Sequence, residues 1–193
     1  MSIRIIEQTS DDLEQYATVP IRFLASSTLK VEWVDGGLGG VSLREVANEE
    51  PYWYDYDEHE APTRWRQWDL SNWAFFAAYE GRARIGGAIV ARETAGIYLL
   101  EGRSDLACLW DLRVRPDRRG TGVGRLLFEH SCLWATTNGS TMLKVETQNI
   151  NVGACRFYAR QGCRLEAWHP NAYEGLPDQV QLLWYLPLES DAI

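Results

Sequence analysis

Residues 109–124, Leu-Trp-Asp-Leu-Arg-Val-Arg-Pro-Asp-Arg-Arg-Gly-Thr-Gly-Val-Gly, commit the chain to a strand, a sharp turn and a helix in immediate succession. The apolar run Ala107–Val114 reads as a strand that Pro116 stops, since proline has no N–H to give a ladder. Val123–Thr137 reads as a helix with Val123, Leu126, Leu127, Leu133 and Trp134 on its apolar face and Gly139 closing it. Between them, Gly120 and Gly122 let the backbone turn with its N–H groups pointing outward. At a helix N-terminus those donors add to the positive end of the macrodipole, which makes a site for phosphate or pyrophosphate.

Two familiar phosphate loops are excluded. A Walker A loop ends in Gly-Lys-Ser/Thr, because the lysine reaches the outer phosphates and the hydroxyl binds magnesium. Here Gly124 is followed by Arg125 and Leu126. A dinucleotide fingerprint needs a third glycine three residues after the second, and that position holds Arg125. What remains is Arg-x-x-Gly-x-Gly, filled by Arg119, Gly122 and Gly124. A second segment follows. Met142–Thr147 is β-prone and gives way to a helix that Asn151 is placed to cap. Ala154, Phe157 and Tyr158 recur there at helical spacing, and Gly162 stands where a left-handed residue stops the helix.

The first pattern resembles the pyrophosphate loop of the GNAT acetyltransferase superfamily. The second is similar to the other acetyl-CoA half-site of those enzymes, in which an asparagine, an alanine and a Phe-Tyr pair precede a glycine. Within the superfamily, Val145–Asn151, Ala154-Cys155, Phe157-Tyr158, Ala172-Tyr173-x-x-Leu176-Pro177-Asp178 and Leu182-Leu183-Trp184-Tyr185 resemble the streptothricin acetyltransferases. The resemblance runs from Trp110 to Tyr185, and about the first seventy residues carry no matching motif. Gly153 departs from the pattern, where proline is expected. The resemblance implies an α/β GNAT fold over residues 1–193 as a single domain. Its mixed central sheet is flanked by helices, with strands splayed at the acetyl-CoA site.

It also implies roles. The backbone of Leu112, Arg113 and Val114 would pair with the pantetheine arm of acetyl-CoA like an added strand. The N–H groups of Arg119, Gly120, Thr121, Gly122, Val123, Gly124 and Arg125 would hold the pyrophosphate, with the Arg118 and Arg119 side chains as extra charge-assisted contacts. Asn151 and Ala154 belong to the second half-site. Acetyl transfer to an amine poses two proton problems. An alkylammonium of pKa ~10 must be deprotonated, and the coenzyme A thiolate leaves better with a proton. Tyr158 matches the tyrosine that supplies that proton in many GNAT enzymes. A backbone N–H within Leu112–Val114 would steady the oxyanion. Asp111, and after it Glu146, stand as the base or ammonium ligand. The implied reaction is acetylation of a primary amine on a cationic small molecule, with the β-lysine moiety of streptothricin first in line, which would confer antibiotic resistance. A polyamine, an aminoglycoside-like amine, a protein N-terminus and a non-catalytic acyl-CoA sensor are the alternatives. A homodimer is left open.

Composition narrows the rest. The chain has 193 residues, 46% of them apolar, enough for a real core. Its net charge of −8 argues against a nucleic-acid partner and for a cationic one. No run approaches the ~20 apolar residues of a membrane span, and the N-terminus lacks the build of a secretory signal, so a cytoplasmic protein is expected. Four cysteines without CxxC spacing read as buried free thiols, and three scattered histidines give no metal site. Residues 49–60 hold Glu49, Glu50, Asp55, Asp57, Glu58 and Glu60 among Tyr52, Trp53, Tyr54 and Tyr56, with no Lys or Arg. That segment reads as a solvated surface loop, or as a lid that holds ammonium groups by charge and cation–π attraction.

Elsewhere, Ile3–Gln8 reads as a strand and Ser10 as the cap of a short helix. Lys30–Val34 and Val41–Val46 suggest a hairpin. Pro62 opens a short helix. Trp73–Tyr79 and Arg84–Arg92 suggest a second hairpin, and Cys163–His169 and Val180–Leu186 the last strands.

Overall fold

A computed structural model describes residues 2–189. In chain order the strands are β1 (Ile3–Gln8), β2 (Phe23–Trp33), β3 (Val41–Tyr54), β4 (Trp73–Glu80), β5 (Ala83–Ala91), β6 (Leu106–Val114), β7 (Met142–Gln148), β8 (Arg164–Pro170) and β9 (Val180–Pro187). The α-helices are α1 (Leu13–Tyr16), α2 (Asp57–Glu60), α3 (Val123–Thr137) and α4 (Val152–Arg160). The chain divides into two compact units. The first holds residues up to Ile21, Asp55–Val145 and the segment from Leu186; the second holds Arg22–Tyr54 and Glu146–Tyr185. No helix among the described residues is long and apolar enough to cross a membrane.

In the first unit the strand order is β1-β4-β5-β6-β7, antiparallel except for the parallel β6–β7 pair. Helix α3 makes the β6-to-β7 crossover, which a parallel pair needs, and packs on β4, β5 and β6. β4 and β5 are nearly continuous apolar runs and are buried along most of their length, as strands covered on both faces are. The buried face of α3 is Val123, Leu127, Phe128, Ser131 and Ala135. Leu133, expected on that face, is 66% exposed. The buried i, i+4 row runs through Val123, Leu127, Ser131 and Ala135, and Leu133 lies off it. Near the N-terminus, Thr9 rather than Ser10 is the cap. Its hydroxyl accepts the Asp11 N–H at 3.3 Å, and Asp12 closes the capping box.

In the second unit β2 and β3 form a long antiparallel hairpin, and the strand order through the end of β7 is β7-β9-β8. The hairpin outruns its expected length. Glu49–Tyr54 is not a surface loop but the end of β3, with Ala25 opposite Tyr52 and Phe23 opposite Tyr54. Trp53, a candidate cation-binding face, already carries Arg22, whose Cζ lies 5.2 Å from its ring centroid. Asn149, 2% exposed, ties the unit together. Its amide donates to Leu29 O (3.1 Å) and Asp178 O (3.4 Å), and its Oδ1 accepts the Val180 N–H (2.8 Å).

Candidate active site

The first half of the site begins with a fault in β6. Ile89 pairs with Asp111 and Val90 with Leu109, so Trp110 is an extra residue and the strand bulges there. The parallel ladder to β7 stops at the same place, with Leu109↔Val145 its last rung. Beyond it, Leu112–Val114 keep β5 as their only ladder partner among the described residues. The early end of this ladder is the splay that the sequence implied. The free edge offers peptide groups to an extended ligand, the way an added strand is bound.

A turn at Pro116–Arg118 carries the chain from this edge to the glycines. Gly120 and Gly122 have φ of +78° and +94°, and a Cβ on either would meet nothing within 4 Å. Glycine is needed there for the left-handed backbone, and the space beside it is open. Gly122 is the N-cap of α3, with no side chain capping the helix. The first helical bond runs from Leu126 N–H to Gly122 O at 3.1 Å. The N–H groups of Val123, Gly124 and Arg125 therefore precede any intrahelical acceptor, in the arrangement that binds phosphate. The neighbouring side chains are engaged by the protein. Arg119 Nε donates to Val114 O (3.1 Å), Arg118 Nη2 to Glu80 Oε2 (2.8 Å), Arg125 Nε to Glu129 Oε1 (2.7 Å), and Thr121 Oγ1 to Arg118 O (2.7 Å). The donors without an acceptor at the start of α3 are thus backbone N–H groups.

Asp111 and Arg113 lie on the same strand two residues apart, buried at 8% and 2% exposure. Arg113 binds Asp111 through both carboxylate oxygens (3.0 and 2.7 Å) and Asp57 through both of its own (3.0 and 3.1 Å). It also donates to Val19 O at 3.1 Å. Tyr16 completes the cluster. Its hydroxyl donates to Asp111 Oδ1 at 2.5 Å, and the guanidinium sits 4.8 Å from its ring centroid. Burial, and then the Asp111 charge, push the Tyr16 hydroxyl well above its ordinary pKa. Gly87 on β5 makes room for the ring: a Cβ there would lie 2.5 Å from Tyr16 Cε2. Both Asp111 oxygens are thus taken within the fold. Tyr16 and Asp57 come from distant stretches, and no local motif marks them.

The residues expected to form the second half-site belong to the other unit. Asn151 caps α4 as expected: its Oδ1 accepts the Ala154 N–H at 3.1 Å. The helix ends at Gly162 (φ +91°), with Cys163 N–H reaching back to Tyr158 O at 3.1 Å. Tyr158 is buried on α4 and packs edge-on against Phe157, centroids 5.1 Å apart. On β7, Glu146 accepts a hydrogen bond from the Tyr173 hydroxyl at 2.7 Å. Two positions further, on the same strand face, Gln148 donates to the Tyr54 hydroxyl at 3.3 Å, while its Oε1 is buried without a partner. Sequence reasoning places Tyr54 in the candidate ammonium-holding segment, and Gln148 and Tyr173 only within the family resemblance, with no role given to either.

Comparison with known proteins bears on the family and the fold. Residues 41–163 match the model of the acetyltransferase (GNAT) family. Streptothricin acetyltransferase A of Bacillus subtilis (strain 168) is 32% identical over 106 residues, 48% of this chain and 61% of that protein. A streptothricin acetyltransferase of Escherichia coli is 32% identical over 103 residues, 51% of this chain and 59% of that protein. The chain thus spans about three-fifths of the length of these curated relatives. Among solved structures, nourseothricin acetyltransferase superposes with a TM-score of 0.76 at 23% identity, covering 98% of this chain and 100% of that one. A candidate streptothricin acetyltransferase of Bacillus anthracis str. Ames, in complex with acetyl coenzyme A, superposes at 0.77 with 22% identity, covering 96% and 99%. These two likenesses establish the fold.

Proposed function

We propose that this chain, which belongs to the acetyltransferase (GNAT) family, moves an acetyl group from acetyl-CoA to a primary amine of a cationic small molecule. The observation that carries the proposal is the free edge of β6 leading into the left-handed glycines and unsatisfied N–H groups at the start of α3. Three features support acetyl-CoA as the ligand. An extended arm suits the edge, a pyrophosphate suits the donors, and open space lies where Gly120 and Gly122 have no Cβ. When bound, acetyl-CoA supplies an acyl thioester activated for attack by an amine.

The chain's own residues do the rest. Leu112–Val114 hold the arm, and an N–H among them faces the developing oxyanion. Val123–Arg125 hold the pyrophosphate, with Asn151 and Ala154 in the second half-site. Tyr158 gives a proton to the departing thiolate. Glu146, held by Tyr173, takes the proton from the substrate ammonium or relays it through water. Asp111 is occupied by Arg113 and Tyr16, so its proposed task shifts from base to fixing β6.

The finer proposal is that the acceptor is the β-lysine moiety of streptothricin. The relatives named streptothricin acetyltransferases support it. The test is thiol release from acetyl-CoA with streptothricin, spermidine, lysine and an aminoglycoside. Turnover on streptothricin that falls at least tenfold in Tyr158→Phe, with acetyl-CoA affinity unchanged, is the expected result. Turnover only on another amine removes the streptothricin proposal, and silence throughout removes the reaction.

A further inference from the structure

The first unit contains a cleft that the reaction above leaves unused. Its volume is about 520 Å³, and it lies between residues 18–20, the start of β5 at Ala83 and Arg84, and residues 115–117. Half of its lining residues, Val19, Pro20, Ala83 and Pro116, are apolar. The charges in the lining are two cations, Arg84 and Arg115, and one anion, Asp117. Asp117 is already matched. Arg115 holds both of its oxygens (3.1 and 2.9 Å), and Arg118 approaches it at 3.7 Å.

Arg84 carries the argument. The β4–β5 register passes from Ala78↔Gly86 to Tyr79↔Arg84, so Ile85 is an extra residue and the bulge sets Arg84 opposite Tyr79. The guanidinium is half-buried, and both of its partners are uncharged. Its Nη2 donates to Gln8 Oε1, and its Cζ lies 5.6 Å from the Tyr79 ring centroid. Neighbouring arginines differ: Arg113 meets Asp111 at 2.7 Å, Arg115 meets Asp117 at 2.9 Å and Arg118 meets Glu80 at 2.8 Å. A charge drawn partly out of water is costly until an opposite charge compensates it. Arg84 Nη1 is covered, so that compensation acts by Coulomb attraction across the cleft rather than through a bond from this atom.

We infer that the cleft is a binding site for a small organic anion, one carboxylate on an apolar body. The carboxylate answers the uncompensated charge of Arg84, and Arg115 Nη1, which stands outside the pair with Asp117, is its nearest free donor group. The apolar body lies against Val19, Pro20, Ala83 and Pro116. Inorganic phosphate carries the charge without the body and so fits the charge alone. The inference is independent of the acetyl-transfer reading, and its test needs no turnover.

Benzoate, benzamide and inorganic phosphate are the probes, titrated calorimetrically with and without saturating coenzyme A. The wild type is expected to bind benzoate with a Kd of about 1 mM or tighter, and benzamide and phosphate at least about tenfold more weakly. Arg84→Gln weakens benzoate at least about fivefold, while Arg84→Lys, which keeps the charge, stays within about threefold of wild type. Ala83→Phe, at an exposed position that does not endanger folding, fills the cleft and abolishes binding. Benzamide or phosphate bound as tightly as benzoate overturns the inference, as does a benzoate affinity unchanged in Arg84→Gln and Ala83→Phe. Benzoate that coenzyme A displaces sits at the glycine turn instead, which also overturns it, and so does a wild type that binds no benzoate.

Discussion

Removing one oxygen from Tyr16 tests whether the cluster under β6 is held as described. Tyr16→Phe keeps the ring, its edge contact with Trp65 at 6.1 Å and the guanidinium over its face. It deletes only the hydrogen bond to Asp111 Oδ1. A buried hydrogen bond to a charged acceptor contributes about 1.5–3 kcal/mol, so denaturant unfolding at pH 7 should show the variant about 2 kcal/mol less stable. The pH dependence is more telling. Burial and the Asp111 charge raise the folded-state pKa of Tyr16, so the folded protein keeps a proton that the unfolded chain releases above pH ~10. This stabilisation is full below pH ~10 and is lost as pH rises toward the folded pKa. The loss is about 1.4 kcal/mol per pH unit. The gap between wild type and Tyr16→Phe should therefore shrink to roughly a third by pH 11, because the variant has no phenol to titrate. Unfolding midpoints in urea from pH 7 to 11 measure it. A gap that is constant or widens with pH would refute the assignment of a neutral, buried Tyr16 donating to an ionised Asp111.

Gly122→Ala places a side chain at φ +94°, and the strained backbone should cost about 1–2 kcal/mol in a thermal melt. Acetyl-CoA affinity by isothermal titration should weaken at least fivefold, since the new methyl enters the space beside the donors. Glu146→Gln retains an acceptor for Tyr173 but cannot take a proton, so kcat should fall at least tenfold while the KM for acetyl-CoA moves less than threefold in initial-rate assays. Burial pushes the Cys155 thiol up to about 11 and that of Cys163 up to about 12. Thiol-reactive dye should therefore label both roughly a hundredfold more slowly in the folded protein than after unfolding.

The parts of the fold legible in advance are those where the backbone itself makes a demand. Gly120, Gly122 and Gly162 occupy positive φ, and Asn151 caps a helix. Each such requirement is met by one residue type at one position, so it leaves a mark in a short window of sequence. The strands β4, β5, β6 and β9 announce themselves by apolar runs, and their bounds move by only a residue or two. The hairpin of β2 and β3 was read too short for a related reason. Its outer part, through Glu49–Tyr54, is exposed along much of both faces, so the alternation that identifies a half-buried strand is missing. Leu133 misleads in the opposite sense, since its apolar side chain admits it to a helical stripe while the buried row of α3 runs through the small residues Ser131 and Ala135 instead.

The site divides along the same line. The main-chain part of the proposed site is legible from glycines, a proline and a cap. What holds that main chain in place is a set of side chains gathered from residues 16, 57, 111 and 113. Contacts spanning 95 and 56 positions leave no periodicity and no local motif. Asp111 shows how this misleads: a carboxylate on the strand beside the expected thioester looks like a base until Tyr16 and Arg113 are seen to occupy it. The cluster answers a physical need that the bulge at Trp110 creates. Leu112–Val114 lose a ladder partner on one edge, and a strand bound on one side only is free to shift. Arg113, between Asp111, Asp57 and Val19 O, fixes that strand from beneath. Such an ion cluster is a weak source of net stability, because desolvating the charges offsets most of their attraction. Its contribution is positional. It keeps the edge of Leu112–Val114 at a defined register, which the proposed pairing with an extended arm requires.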